Sequence, residues 1–580
     1  MPLNKRWQIA PPLTSQADES LVAFPRILRQ LLFNRGYATD AEAHAFLKAE
    51  TDFDLDPFQM MGMDTVVARI RRAIDRKETI AVYGDYDVDG VTATALLVQT
   101  LQVLGAEARP YIPNRFDEGY GLNPEALSSL KEQGVTLAIS VDCGIRSPSE
   151  ADHAKSIGLE MIISDHHQPA EGDLPQAIAV INPKQDGDQY PDKDLAGVGV
   201  AYKIAQALLD EKRGAMGQPG AYFAGVSPAA FLENLLDLVA LGTVADLAPL
   251  VGENRSLVRK GLQKIRATTR QGLFSLAAVS DLSLSRTTAT NIGFVLGPRL
   301  NAAGRLESAL AAYELLTTTD VKRAGELAQQ LNVQNRQRQE ITRKIQEEAE
   351  TIALAGDPES HLLFAVHPDF NSGVVGLAAA RLAETYYRPA VVGQVSGETT
   401  RCSCRSIPEF HITQALDQCK DLLIRHGGHA AAAGFTVSND NLEALKVRLI
   451  SIADEQLRGL DLRQTLTADV EVPLSELHPE LLKHLESFQP TGYGNLEAVF
   501  ISRNVRVTNK RTVGSDGRHL KLVVTDGHIS FDAIGFRLGH LHAELPLQVD
   551  LIYTFESNEY NGRTSLQLNM KDVKPSGSLD

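Results

Sequence analysis

Cysteine is scarce in this chain. Its four residues, Cys143, Cys402, Cys404 and Cys419, are spread over 580 positions. They form no CxxC pair, which excludes a disulfide framework and points to a reducing, cytoplasmic compartment. The "CSC" at 402–404 is too closely spaced and too isolated for a structural zinc site. A Walker GxxxxGK and a GxSxG are both missing, which excludes ATP-driven translocation and a serine nucleophile. The opening "MPLNKRWQIAPPLTSQ" carries no apolar signal core, and no run approaches the length a membrane span needs. A net charge of −16 excludes a uniformly basic, nucleic-acid-coating surface but leaves room for a local basic groove.

Hydrophobic content of 43% supports full folding, and the length is too great for a single core. Residues 1–60 read as a helical N-terminal extension. Residues 61–320 read as a catalytic domain, in which short apolar runs ("TIAVYG", "EARPYIP", "TLAISVDCG", "EMIISDHH", "AIAVINP") alternate with amphipathic helices up to about 182. That alternation predicts an α/β fold with a parallel sheet covered on both faces, and the stretch 195–315 is mainly helical. A charged segment at 321–355, without Gly or Pro between Glu326 and Leu354, predicts one long connecting helix. A second α/β pattern covers 356–460, and short β-rich segments with Gly, Asn and Asp turns over 461–580 predict a small barrel of the OB type.

Acids gather at the predicted strand ends. "AVYGDYDVDGVTATALL" (81–97) places Asp85, Asp87 and Asp89 where a strand gives way to a helix. Asp142 follows "LAISV", and Asp165, His166 and His167 follow "MIIS". Asp246 ends the apolar "LVALGTVADLAPL". Ligands of doubly wound sheets bind beyond the carboxyl ends of the strands. Carboxylates crowded there repel one another, and a divalent cation relieves the repulsion. Oxygen ligands with one or two imidazoles suit Mn²⁺ or Mg²⁺. A lone DxD is usually a turn or helix cap, and a lone His-His pair a surface feature. The constellation carries the argument, because three acidic strand ends in one α/β unit are hard to read as three independent turns.

In their order, "GDYDVDG", "VDCG", "SDHH" and "LGTVAD" resemble the four motifs of the DHH phosphoesterase superfamily. "GPRLNAAGRL" (297–306) and "GGHAAAAGF" (427–435) resemble its bacterial RecJ branch. The resemblance implies a metal-dependent 5′→3′ exonuclease that degrades single-stranded DNA to mononucleotides in repair and recombination. It implies one ion held by Asp87, Asp142, His166 and Asp246. A second ion, with substrate bound, would share Asp87 and Asp142 and add Asp85, while Asp165 and His167 serve catalysis. Many superfamily members place a metal-binding His four residues before the first Asp; here Ala81 stands there, so the second site is short of a ligand. Single-stranded DNA, a helicase and a single-strand-binding protein are the implied partners of a monomer that needs no membrane. An oligoribonuclease or cyclic-dinucleotide phosphodiesterase of the same superfamily is the alternative, but such relatives generally lack the long helix and the terminal barrel.

Starting at a 5′ end requires a fixed phosphate pocket, for which Arg115, Ser403 and Arg405 are the candidates. Arg299, Asn301 and Arg305, together with Gly427, Gly428 and His429, are candidates for strand contacts. Arg503, Arg506, Lys510, Arg511, Arg518 and Lys521 stand against the single acid Asp516, a local cationic run suited to a single-strand platform. Most aromatics around them are expected to fill the barrel's own core.

Overall fold

The computed structural model describes residues 5–49, 55–114, 121–170, 172–210, 226–514, 516–560 and 563–578. The chain divides into two compact units. One combines 1–50 with 461–491 and 495–580; the other spans 51–460 together with 492–494.

In the larger unit the first sheet has five parallel strands in the order Glu107–Tyr111, Thr79–Gly84, Val135–Val141, Glu160–Ser164 and Ala179–Ile181. In sequence order this is 2-1-3-4-5, a doubly wound arrangement whose direction switches between the first and third strands. The central strands Thr79–Gly84 and Val135–Val141 are almost wholly buried because both faces are covered, whereas the edge strand Glu107–Tyr111 is half-exposed. Helices Pro124–Glu132 and Pro148–Ser156 pack one face through Leu127, Leu130, Ala151 and Ala154. Helices Met63–Asp75, Val88–Val103 and Gly197–Leu208 pack the other. Val88–Val103 is buried nearly all round, which explains its lack of a polar face.

Helices then predominate as far as Leu310–Thr317, as expected. The expectation about apolar runs needs a correction. Helix Pro228–Ala245 has 18 residues at a mean hydropathy of 1.3, long and apolar enough to cross a membrane. Its apolar side chains instead fill the core, with Leu235, Leu238, Val239 and Leu241 buried. The predicted connecting helix is present as Val321–Gly356, 36 residues and about 54 Å long. It leads to a mixed five-stranded sheet, ordered Leu423–Gly428, Ala432–Ser438, Thr399–Arg405, Ala390–Ser396 and Leu363–His367.

In the smaller unit five strands close a barrel: Val499–Val513, His519–Thr525, Ser530–Gly535, Arg563–Pro575 and Gln548–Tyr560, the last pairing back to the first. The order 1-2-3-5-4-1, with its single parallel pairing, is the OB arrangement. Phe500, Phe531, Tyr553 and Phe555 point inward and are buried, as expected of core aromatics. Strand Arg6–Ile9 pairs in parallel with Thr465–Ala468, and helices Arg26–Asn34 and Asp40–Lys48 pack on the same core.

A buried ion pair ties two helices of the larger unit together. Lys203, on helix Gly197–Leu208, is fully buried against Glu253 of helix Gly252–Arg266. Tyr190 donates to the same carboxylate at 2.5 Å, and Lys203 Nζ donates to the Leu55 carbonyl at 3.0 Å. Removing one member strands a buried charge. K203M should therefore cost about 3–5 kcal/mol of stability, and K203M/E253Q much less. Calorimetric unfolding checks this, and a double variant as unstable as the single one would contradict it.

Candidate metal centre and strand-binding groups

The acids of the first sheet converge at its switch point. Asp85 and Asp87 leave the strand Thr79–Gly84, and Asp142 leaves its neighbour Val135–Val141. Each contributes an oxygen to one group within 4.8 Å. Asp142 sits at φ 63, a left-handed backbone that few non-glycine residues adopt and one typical of functional sites. His166 Nε2 lies 3.1 Å from Asp142 Oδ1, 3.8 Å from Asp246 Oδ2 and 3.9 Å from Asp89 Oδ2. His166 also has a backbone hydrogen bond to Leu195, which leaves Nε2 facing the acids.

Close approach is enforced by small residues. A Cβ at Gly197 would lie 2.7 Å from the Asp142 carboxylate, and one at Gly242 would lie 2.7 Å from Asp89 Oδ1. Any larger residue at either place would push the acids apart.

These carboxylates differ in how they are satisfied. Asp87 caps helix Val88–Val103, accepting from Asp89 N at 2.9 Å and Gly90 N at 3.1 Å. Asp89 accepts from Gly197 N at 2.7 Å and Val198 N at 2.8 Å, placing its charge at the positive end of helix Gly197–Leu208. Asp246 lies at the C-terminal end of helix Pro228–Ala245, where the dipole opposes a negative charge. Burial, then the charge of Asp87, pushes Asp89 up to about 7. Burial, then Asp89 and Asp87, pushes Asp246 up to about 8. Asp142 rises well above the carboxylate range for the same reasons. Burial foremost, then the field of His167, drives His166 down to about 3, so its imidazole is neutral and ready to ligate.

Asp142 Oδ1 and His166 Nε2 are both buried and make no hydrogen bond. Two lone-pair atoms facing each other, ringed by repelled carboxylates, fit a hard divalent cation of the Mn²⁺ or Mg²⁺ type. Ala81 lies in mid-strand and is fully buried, so this position supplies no ligand.

Asp165, expected to serve catalysis, is enclosed by donors. Its oxygens accept from Ile145 N at 2.9 Å, His166 N at 2.7 Å and His167 N at 3.0 Å, and meet His167 Nδ1 at 2.8 Å. It therefore positions the two histidines. Burial alone would lower His167, but its bond to Asp165 and the Asp165 charge raise it above the ordinary value.

Among the expected strand contacts, Asn301 Oδ1 accepts from Val88 N at 3.2 Å, which steadies the turn bearing Asp87. Arg299 Nε donates to Asn332 of the long helix at 3.1 Å. Arg305 Nη1 donates to the Gly373 carbonyl at 3.2 Å. Gly427 and Gly428 close the strand Leu423–Gly428, with Gly428 at φ 151. His429 is exposed just beyond, lowered by burial and then by the fields of Arg146, His167 and Lys184. The charges of Arg146, His167 and Lys184, from the loops after the first sheet's strands, thus reach His429. Arg146 and Lys184 were missed because neither belongs to a motif. Asp89 was missed as a site residue because its helix partner is 108 residues away.

Ser403 and Arg405 lie on one strand beside helix Val375–Tyr386. A Cβ at Gly376, in that helix's first turn, would be 3.4 Å from both Ser403 Oγ and Arg405 Nη2. Arg115 lies outside the described residues. Cys402 and Cys404 are buried packing residues of the same strand. In the barrel, Arg503 pairs with Glu471 and Asp550, Arg518 with Asp516, and Lys521 with Asp532. Lys510 donates to the Leu545 carbonyl. Arg506 and Arg511 are exposed and make no ion pair among the described residues.

An acid cluster able to hold a cation stands at the switch point of a doubly wound sheet, where such folds bind their ligands, and the family models assign this sheet to the DHH class. The DHH family N-terminal domain model matches 79–243, the DHHA1 domain model 359–455 and the RecJ OB domain model 468–572. The single-stranded-DNA-specific exonuclease RecJ of Bacillus subtilis is 37% identical, over 98% of this chain and 70% of its own. That of Escherichia coli is 34% identical, over 95% and 96%. The crystal structure of RecJ with Mn²⁺ from Thermus thermophilus superposes with a TM-score of 0.83 at 28% identity, over 99% of this chain and 80% of that one. The chain belongs to the RecJ family.

The raised carboxyl groups hold protons in the fold that the unfolded chain has released. The metal-free protein should therefore lose stability as pH rises from about 5 towards 8, and Mn²⁺, which needs those groups ionised, should raise the melting temperature more at about pH 8 than at about pH 6. D142N should melt above the wild type in EDTA and lose most of the Mn²⁺ shift. Calorimetric scans with Mn²⁺ or EDTA test both, and a Mn²⁺ shift that shrinks as pH rises would contradict the assignment.

Proposed function

We propose that this chain is a divalent-metal-dependent exonuclease that degrades single-stranded DNA from its 5′ end to mononucleotides in repair and recombination. The observation that carries the reading is the convergence of Asp85, Asp87, Asp142, His166 and Asp246 at one sheet edge, in a chain that is RecJ-like over nearly its whole length. Asp87, Asp142, His166 and Asp246 would hold one Mn²⁺ or Mg²⁺, and Asp85, with Asp87 and Asp142, a second when substrate is bound. Such ions polarise the phosphodiester and the attacking water and offset charge on the leaving 3′ oxygen.

The remaining work falls to side chains. His167, held through Nδ1 by Asp165, whose charge favours the imidazolium, would in that protonated form donate from Nε2 to a phosphate oxygen. His429 offers a donor from the second sheet. Ser403, Arg405 and the first turn of helix Val375–Tyr386 form an anion cradle for the 5′-phosphate, to which Arg115 would add a second guanidinium. Arg305 braces the segment that leads into that helix. Arg299 and Asn301 support the strand path from the framework. The barrel adds affinity through Arg506 and Arg511, with Arg503, Lys510, Arg518 and Lys521 exchanging their present partners for phosphate. The reading includes cytoplasmic work as a monomer beside a helicase and a single-strand-binding protein.

A 5′-labelled single strand, its duplex, a short RNA and a cyclic dinucleotide, each with Mn²⁺, Mg²⁺ or EDTA, test the activity. Rapid release of labelled mononucleotide from the single strand alone is expected, and turnover that survives EDTA would refute it. R405Q should lower the preference for 5′-phosphate over 5′-hydroxyl ends by roughly 10- to 100-fold in kcat/KM. Equal losses on both substrates would remove Arg405 from the pocket. R506Q/R511Q should weaken binding of long strands and reduce the slope of log K against log salt by about 0.7 per cation.

A further inference from the structure

We propose that the barrel carries its own nucleobase-stacking site, formed by Phe536 and His519 and flanked by Arg537, Arg518, Lys521 and Arg511. This deepens the proposed function and rests on it. Phe500, Phe531, Tyr553 and Phe555 of the barrel are buried, whereas Phe536 is 59% exposed. Phe536 thus presents a ring face to solvent beside the cationic strands of the barrel.

The ring is held. Phe536 follows directly on the strand Ser530–Gly535 and meets the His519 ring edge-on at a centroid distance of 5.3 Å and an angle of 71°. Arg537 N donates to His519 Nδ1 at 3.0 Å, which fixes the imidazole with its proton on Nε2. Arg537 occupies a left-handed backbone at φ 62. Gly539 N then donates to the Arg518 carbonyl at 2.9 Å, and a Cβ on Gly539 would fall 2.1 Å from the Gly517 carbonyl. The loop after the third strand is thereby seated on the turn before the second. A rigid ring loses little entropy when a base stacks on it.

The surroundings select an anionic, unpaired strand. Lys521 stands opposite Arg511 in the strand register, with Leu520 and Leu522 turned inward, so both cations project outside. Arg537 and Arg511 make no ion pair among the described residues. Arg518 and Lys521 are held by Asp516 and Asp532 in open ion pairs, which a phosphate can displace at little cost. An exposed ring with cations on both flanks matches the alternating base and phosphate of a single strand, and a duplex hides its base faces.

Trp7 is the only tryptophan in the chain and is buried, so F536W introduces a second emitter at the proposed contact. Full-length F536W titrated with oligothymidylate in EDTA should show quenched emission that saturates with binding, while wild-type emission stays constant. F536A should bind roughly 5- to 150-fold more weakly, with its salt slope unchanged, whereas R537Q should lower the slope by about 0.7. Binding of F536W without any change in emission would overturn the stacking site and leave the exonuclease reading intact. Quenching by an acidic peptide but not by the oligonucleotide would also overturn it, in favour of a protein ligand. A wild-type chain that neither binds nor cleaves single strands would instead bring down the exonuclease reading.

Discussion

Mutual repulsion among buried carboxylates is the constraint around which the catalytic unit is organised. Six aspartates gather at one sheet edge, and the fold relieves them unequally. Asp87 and Asp89 are met by backbone N–H groups at the starts of two helices. Asp142 is left with a buried oxygen that makes no hydrogen bond, and Asp246 stands where the helix dipole is unfavourable. The acids that the fold does not compensate are those with capacity left for a cation. This ranks the candidates without any ion in view. Asp89 is tied to the start of helix Gly197–Leu208, while Asp142 and Asp246 keep the most capacity, with His166 Nε2 3.1 Å and 3.8 Å from their oxygens.

Holding repelled groups together needs a stiff support, and the apolar packing supplies it. Helices Val88–Val103, Gly197–Leu208 and Pro228–Ala245 each deliver an end to the cluster while their bodies are buried in one core. Two of the contacts depend on glycine, at Gly197 and Gly242, because the neighbouring carboxylate takes the volume a Cβ would need. Lys203 and Glu253 add a polar tie well inside that core. An ion pair so placed contributes little net stability, but it admits only one register of the two helices that carry it. Stability and geometry are thus served by different residues in the same element.

What the sequence revealed follows the range of the interactions. Strands that lie between two helical layers are apolar throughout, so the parallel sheet and the ends of its strands were legible. So was the helix Val321–Gly356, where the absence of breakers settles the matter locally. The metal-site acids were legible because they lie at strand ends, a position that topology alone makes functional. Asp89 was not, because its partners are the N–H groups of Gly197 and Val198, and no local rule connects them. Asp165 was legible as part of the "DHH" triplet, but the four donors that close around it, one of them Ile145 N from another loop, were not. Helix Pro228–Ala245 shows the opposite failure: composition alone cannot separate a core helix from a membrane-spanning one, since both shed polar side chains for the same reason.

The charge balance completes the picture. A chain of net charge −16 that binds a polyanion must confine attraction to small regions. In the catalytic unit the acids that repel DNA are those a divalent cation neutralises, so metal loading also turns the site from repulsive to attractive. In the barrel, Arg503, Arg518 and Lys521 are already paired with acids. Such exposed pairs weaken long-range steering but cost little to exchange for phosphate. In the proposed function, a surface of this kind would exchange its acid partners for phosphate at little cost, and so hold a strand through contacts that re-form readily.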